Sequence, residues 1–416
     1  MPDVHPAGEG TKKRPKIITE VEEINTYTPI IKVVGIGGAG GNAINRMIDM
    51  NLQGVEFIAI NTDAQDLKKS HARIRLQIGH HLTKGLGAGG NPEAGERAAR
   101  EDLERIRGAL DGAHMIFLTV GLGGGTGSGA APVIAHQMRQ SSPETLIVGV
   151  VTLPFGFEGP IRRRNAWNAL EQLKQAVDAY IVIPNDNLIQ VARGHLPMRE
   201  AFAMADDILY QAVSSLTDMI VHPGYINVDF ADVYNVLKDR GRAVFGVGSA
   251  DGEGRALKAV QQAINCPILD NTSIESATDV LLNITGRELT VQEITEACDY
   301  IYSMVNPDKA QIIFGYTERE DMEGFHITVI AAGFEERLDV EKSDFELHAE
   351  EPIPRESTTA PESGYGPATP TPNTLERVFE GQSTGRDRFD PAALRSPAIQ
   401  RRRKYRFPRI QQDEED

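Results

Sequence analysis

Between His114 and Met138 the chain places a short apolar run, HMIFLTV, ahead of the glycine-rich stretch GGGTGSG (Gly123 to Gly129), which leads into the helix-like AAPVIAHQM. A strand, a glycine loop with hydroxyls and a helix start make a phosphate cradle. Glycines let backbone N–H groups converge on an anion, and the helix N-terminus adds positive dipole; the Thr126 and Ser128 hydroxyls can donate to phosphate oxygens or help hold a metal. GIGGAGGN (Gly35 to Asn42) repeats the arrangement after IIKVV and before AINRMI, and a third cluster, GLGAGGNPEAG, spans Gly85 to Gly95. One such run is as readily a flexible turn as a binding site. Three in the first third of one chain point to a phosphorylated nucleotide.

The elements that must position these loops alternate. From Ile30 onward, apolar runs of strand length (IIKVVGI, VEFIAIN, HMIFLTV, TLIVGVVTL, YIVIP) alternate with helical segments, around 43–50, 63–69, beyond Gly129 and around 163–176. This is the pattern of a parallel sheet covered on both faces. MREAFAMADDILYQAVSSLTDMI (Met198 to Ile220) carries apolar residues at helical spacing and reads as a core helix joining two halves. A second α/β region follows, and its consecutive final strands, QIIFGYT and FHITVIAAGF, imply a mixed sheet.

At 416 residues the chain exceeds what one core holds, so two domains are expected. A net charge of −16 argues against generic affinity for nucleic acid or anionic membranes. Cys266 and Cys298 lack CxxC spacing and read as free thiols. No apolar stretch approaches membrane-spanning length and the N-terminus lacks a signal-peptide core, so a reducing cytoplasm is expected, without direct membrane insertion. The expected divisions are a disordered arm (1–28), a nucleotide-binding domain including the core helix (29–220), a second α/β domain with an acidic loop (221–334), a disordered acidic linker (335–394) and a basic C-terminal peptide (395–416). In that peptide, Tyr405 and Phe407 lie among arginines.

With NVDFADV (Asn227 to Val233) added, the chain resembles the tubulin/FtsZ family. The matching segments are GIGGAGGNA, NTDAQDL, GLGAGGNPEAG, GGGTGSGAAP, PFGFEGPIRR, IPNDNLI, AFAMADDIL and NVDFADV, in the family's order over about Ile30 to Phe334. The resemblance implies a tubulin/FtsZ-like α/β fold: a parallel-sheet nucleotide-binding domain joined by a long core helix to a second α/β domain with a mixed sheet. It implies GTP/GDP as ligand with Mg2+, although no side chains are assigned as metal ligands. Gly38, Ala39, Gly40, Gly41 and Asn42 would wrap the nucleotide, and Gly125, Thr126 and Gly127 its terminal phosphates. Glu158 and Arg162, with Arg163 as the nearby substitute, would contact ribose and phosphate. Phe202 would pack on the base, and Asp207, preceded by Asp206, would accept from the guanine edge.

The resemblance further implies that Asn227, Asp229 and Asp232 enter the next subunit's pocket and orient the attacking water. Two carboxylates suit that task beside a metal-bound γ-phosphate. The plainer reading has Asp232 capping the helix VYNVL, and both can hold at once. Implied partners are further copies in head-to-tail filaments of the cell-division ring, and division proteins or membrane tethers at the C-terminal peptide; the implied location is the division site.

Gly35, Gly37 and Gly40 also satisfy GxGxxG, and Asp63 lies where a ribose-binding carboxylate would, so an NAD-dependent oxidoreductase with a Rossmann fold is the alternative. It leaves GGGTGSG and NVDFADV unexplained. A P-loop NTPase is disfavoured because no GK[ST] follows the glycines, and the intact Asp229 and Asp232 oppose a scaffold that does not hydrolyse.

Overall fold

The computed structural model describes residues 28–191, 197–221, 224–265, 274–306, 310–319 and 322–334. The N-terminal arm, the linker, the basic C-terminal peptide and Cys266 lie outside the described residues. The first half alternates β1 (Ile31–Ile36), α1 (Gly37–Asp49), β2 (Val55–Asn61), α2 (Ala64–Lys69), β3 (Ile74–Gln77), α3 (His80–Thr83), α4 (Pro92–Glu101), α5 (Leu103–Leu110), β4 (Met115–Gly121), α6 (Thr126–Ser141), β5 (Leu146–Leu153), α7 (Pro160–Lys174), β6 (Ala179–Pro184) and α8 (Asn185–Val191). Then come α9 (Met198–Val221), α10 (Phe230–Leu237), β7 (Gly241–Ala250), α11 (Arg255–Ile264), β8 (Asp279–Gly286), α12 (Val291–Met304), β9 (Gln311–Glu318) and β10 (Phe325–Ala332).

The strands form one ten-stranded sheet in the order β3-β2-β1-β4-β5-β6-β7-β10-β8-β9. β1 to β6 are parallel, and β10 runs antiparallel to both β7 and β8, as expected for a mixed second sheet. The two halves share the sheet: β7 continues it from β6 through Ala179–Gly241, Tyr180–Arg242 and Ile181–Ala243. Every residue of β1 is buried, which is why these strands read as unbroken apolar runs. Lys32 is the polar exception; its Nζ donates to the carbonyls of Ala109 (3.0 Å) and Asp111 (2.8 Å), so its charge stands at the C-terminus of α5.

Two cores flank the first half of the sheet. One lies under α4 to α7; the other packs α1, α9 and α10 together with Phe245, Leu281 and Ile330 of the second half. α9 is therefore a core helix common to both halves. A third cluster lies beneath α11 and α12 and includes Phe334, the last described residue. Arg255 and Glu293 clasp α11 to α12, with Nε to Oε1 at 2.6 Å, and the guanidinium holds the Glu293 carboxyl down at about 2. No helix among the described residues is long and apolar enough to cross a membrane.

Candidate functional site

The glycine loops converge at the C-terminal ends of β1 and β4. α1 begins at Gly37 directly after β1, with no loop between them, and Gly37 holds a φ of +76° that L residues rarely adopt. A Cβ there would come within 3.0 Å of the Gly127 nitrogen, so the two loops touch. α6 starts at Thr126, four residues earlier than the apolar pattern signals. The third cluster buttresses the second: a Cβ on Gly95 would meet the Gly125 carbonyl oxygen at 2.3 Å, and one on Gly129 would meet that of Pro92 at 1.9 Å. Its last residues are helix, capped by Asn91, whose Oδ1 accepts from the Glu93 N–H at 2.9 Å. Gly95 thus serves close packing.

Two adjacent helix N-termini now face one space. Gly38, Ala39 and Asn42 are exposed there, and a Cβ on Gly41 or Gly124 would meet nothing within 4 Å. Free N–H groups at two helix starts are a ready anion site. The hydroxyls, by contrast, have partners within the protein: Thr126 Oγ1 lies 2.6 Å from Thr62 Oγ1, and Ser128 Oγ accepts from the Gly123 N–H at 2.8 Å. Backbone amides are left as the main donors.

Beside the cradle, the segment between β5 and α7 brings in aromatic and charged groups. Phe155 is fully buried; Phe157 stacks on it at 5.0 Å, and Phe202 of α9 meets it edge-on at 5.2 Å. Phe202 remains 40% exposed, which leaves ring surface for a planar ligand. Glu158 pairs with Arg162, and its Oε1 accepts from the Phe155 N–H at 2.9 Å. Arg163 turns instead to Asp186, 3.5 Å away, whose Oδ1 accepts from the Gly156 N–H.

On α9, Asp207 accepts from Arg46 Nε of α1 at 2.5 Å. Burial, and then the neighbouring Asp207 carboxylate, push Asp206 up to about 7 against the opposing influence of Arg46. Sequence reasoning missed two residues here. Arg46 lies one helical turn after Asn42, a spacing that places them on one face. Asn185 follows β6 directly, where open α/β sheets bind ligands; it is 5% exposed, and its Oδ1 is buried without a hydrogen-bond partner. A buried acceptor of this kind is costly unless something supplies a donor.

The acidic loop stands elsewhere. Asp229, not Asp232, caps α10, and Asp232 closes a reciprocal capping box three residues on. Phe230 between them meets the His114 ring at 6.3 Å, and His114 immediately precedes β4. The structure pairs Asp229 with Asp232, two and five residues after Asn227, at the opposite end of β4 from the glycine loops. From His114 to Gly121 the strand alone spans about 23 Å at ~3.3 Å per residue.

Against known families, the tubulin/FtsZ family GTPase domain model matches residues 30–193, and the FtsZ family C-terminal domain model matches residues 241–335. The chain belongs to the tubulin/FtsZ family. Cell division protein FtsZ of Magnetospirillum gryphiswaldense is 49% identical over 307 residues, 73% of this chain and 54% of that protein. FtsZ 1 of Rhizobium meliloti is 46% identical over 344 residues, 82% of this chain and 58% of that protein. The chain thus spans little more than half the length of these two relatives. The Wolbachia FtsZ is 41% identical over 395 residues, 90% of this chain and 97% of that protein. Among solved structures, the empty FtsZ dimer of M. jannaschii superposes with a TM-score of 0.69 at 43% identity, covering 74% of this chain and 89% of that one. CetZ1 of Haloferax volcanii, at 22% identity and a TM-score of 0.67, covers 77% and 100% and shares the fold.

Family membership gives the oxidoreductase alternative no support. The strand order β3-β2-β1-β4-β5-β6 is the one dinucleotide-binding folds also use, so topology does not separate the two. The family match does; Asp63 itself caps α2, its Oδ1 accepting from Gln65 N–H at 2.8 Å and Asp66 N–H at 3.2 Å.

Proposed function

We propose that this chain binds GTP, assembles head to tail and hydrolyses the nucleotide between subunits, as a filament-forming GTPase of cell division. One observation carries this reading: the phosphate cradle and the carboxylates stand at opposite ends of β4. Hydrogen-bond reach is about 3 Å, so carboxylates at the far end of a strand ~23 Å long serve no water at their own subunit's phosphates. A second copy stacked end to end brings the two together. Such an unlike contact propagates as an open filament rather than closing as a dimer. The M. jannaschii FtsZ dimer, an assembly of similar chains, supports self-association.

In this reading the amides of Gly38, Ala39, Gly40, Gly41 and Asn42 hold the nucleotide, while Gly125, Thr126 and Gly127 hold its terminal phosphates. Glu158 and Arg162 approach ribose and phosphate, Phe202 covers the base, and the Asp206–Asp207 pair accepts from the guanine N1–H and N2–H2 donors, with Arg46 bracing Asp207. Asn227, Asp229 and Asp232 of the neighbouring subunit orient water for in-line attack. Mg2+ would be held chiefly by the phosphate oxygens, since the cradle's amide N–H groups cannot ligate a cation, and it would supply neutralisation of their charge.

The remaining assignments follow. Residues 29–220 form the GTP-binding part and 221–334 the part that carries the acidic loop, while the peptide 395–416 binds division proteins or membrane tethers beyond the acidic linker. The protein acts in the cytoplasm at the division site. The test is GTP turnover per subunit across protein concentrations, with ATP as control. Turnover that rises through an assembly threshold is expected; turnover per subunit independent of concentration overturns the proposal.

A further inference from the structure

The acidic loop is held from the far edge of the sheet. β9 is the terminal strand, with β8 on one side. Its other edge takes up the chain just ahead of Asn227: the Tyr316 N–H donates to the Ile226 carbonyl at 2.9 Å, and the Ile226 N–H donates back to the Tyr316 carbonyl at 3.3 Å. Above this bridge the Tyr316 ring stacks on Tyr225, centroids 5.8 Å apart and planes within 16°. Glycines permit the approach on both sides. A Cβ on Gly224 would meet the Tyr316 oxygen at 2.1 Å, and one on Gly315 would meet Val228 Cγ2 at 2.7 Å. Val228, between Asn227 and Asp229, is therefore buried against β9.

We propose that Tyr316 is a positioning residue for hydrolysis: through its backbone bridge to Ile226 and its stack on Tyr225, it sets where Asn227, Asp229 and Asp232 stand. This rests on the reading that those residues act in the next subunit's pocket. The sensitivity follows from strand geometry. Asp229 is three residues beyond the bridge, and a slip of one residue along β9 displaces the loop by about 3.3 Å. A misplacement of ~1 Å already costs on the order of 10² in rate. The capping box makes Asp229 and Asp232 move as a unit, so an error at Ile226 reaches both carboxylates. Tyr225 is itself 76% exposed, so its ring adds little to the core and its stack mainly orders the loop.

The test uses the full chain with GTP and Mg2+, and reads turnover per sedimented subunit and the GTP Kd of dilute protein. Tyr316→Ala and Tyr225→Ala are each expected to lower turnover per assembled subunit about tenfold with Kd unchanged, a split in which nucleotide binding is spared. Tyr316→Phe keeps ring and backbone and is expected to restore the wild-type rate. If Tyr316→Ala does not fold, Tyr225→Ala decides, because its ring lies at the surface. Wild-type turnover that follows assembly, together with alanine variants within about twofold of it, overturns this inference alone; so does a Kd that weakens in step with turnover, or a Tyr316→Phe protein as slow as Tyr316→Ala. Wild-type turnover indifferent to assembly overturns the head-to-tail reading and this inference with it.

Discussion

Asp229 and Asp232 fix one another: the Asp229 N–H donates to Asp232 Oδ2 at 3.0 Å, and the Asp232 N–H donates to Asp229 Oδ1 at 2.9 Å. Each carboxylate thus spends one oxygen on the start of α10 and is held in a fixed direction by it. Helix cap and proposed water-orienting pair are the same two side chains. A loop preorganised in this way needs no rearrangement when it meets a neighbouring subunit.

Replacing either aspartate should therefore have two separable effects. Loss of the cap in Asp229→Ala is expected to cost about 1 kcal/mol of stability, measurable by denaturant unfolding. Loss of the water-orienting carboxylate in Asp229→Ala or Asp232→Ala is expected to lower turnover on the order of 10² or more. GTP binding should hold, since the cradle is at the other end of β4. A GTP Kd that weakens in proportion to the loss of turnover would place the carboxylates in their own subunit's site.

Complementation gives a sharper check on the trans arrangement. Gly41→Asp puts a carboxylate into the cradle where a Cβ meets nothing within 4 Å, so the fold should survive while phosphate binding fails. Mixed with Asp232→Ala, which keeps its cradle, this variant supplies the missing acidic loop. Two nearly inactive proteins in equal amounts should then recover about a quarter of wild-type turnover, because random head-to-tail mixing makes one contact in four competent. A mixture no more active than its components would count against hydrolysis in trans.

Much of this was legible in the sequence because parallel strands buried on both faces leave unmistakable apolar runs, as in β1 and β5. The glycine loops could be placed by the strands that precede them. Two helices start several residues before their apolar pattern: α1 and α6 begin inside their glycine stretches, at Gly37 and Thr126, where low helix propensity hides a first turn that tertiary contact enforces. β3 and α3 are four residues each, too short to show a period, and α4 opens inside the third glycine cluster, which hides its start. Asn185 and Arg46 escaped because their roles depend on which elements the fold sets side by side. The Tyr225–Tyr316 stack, across 91 residues of sequence, leaves no local trace.

Truncation addresses the C-terminal segment. Phe334 packs with the core under α11 and α12, so a cut after Glu335 spares every described residue. Removing 336–416 is expected to leave GTP turnover and filament formation within about twofold of the full chain, while attachment to membrane tethers or division proteins is lost. Avidity explains the second half: many weak peptide contacts along one filament hold where single ones do not. Sedimentation and turnover of the two forms decide the first half, and loss of assembly on truncation would make the tail part of the polymerising unit.

Asp206 sets the expected pH dependence. Burial and then the Asp207 carboxylate raise its carboxyl in the folded protein from 3.8 to about 7. The nucleotide-free fold therefore favours the protonated form, and stability falls as pH rises from about 4 to about 7, beyond which the whole penalty is felt. Asp206→Asn should accordingly raise Tm at pH 8 and leave it unchanged near pH 4. Nucleotide binding responds in the opposite sense. Guanine N1–H and N2–H2 donate to an ionised carboxylate, so affinity for GTP should weaken by up to tenfold per pH unit below about 7, with a proton released on binding. Calorimetry in buffers of different ionisation enthalpy measures that proton directly. Binding at pH 6.5 without proton release, and equal Tm values for wild type and Asp206→Asn at pH 8, would remove Asp206 from the base-binding pair and leave Asp207, braced by Arg46, as the acceptor.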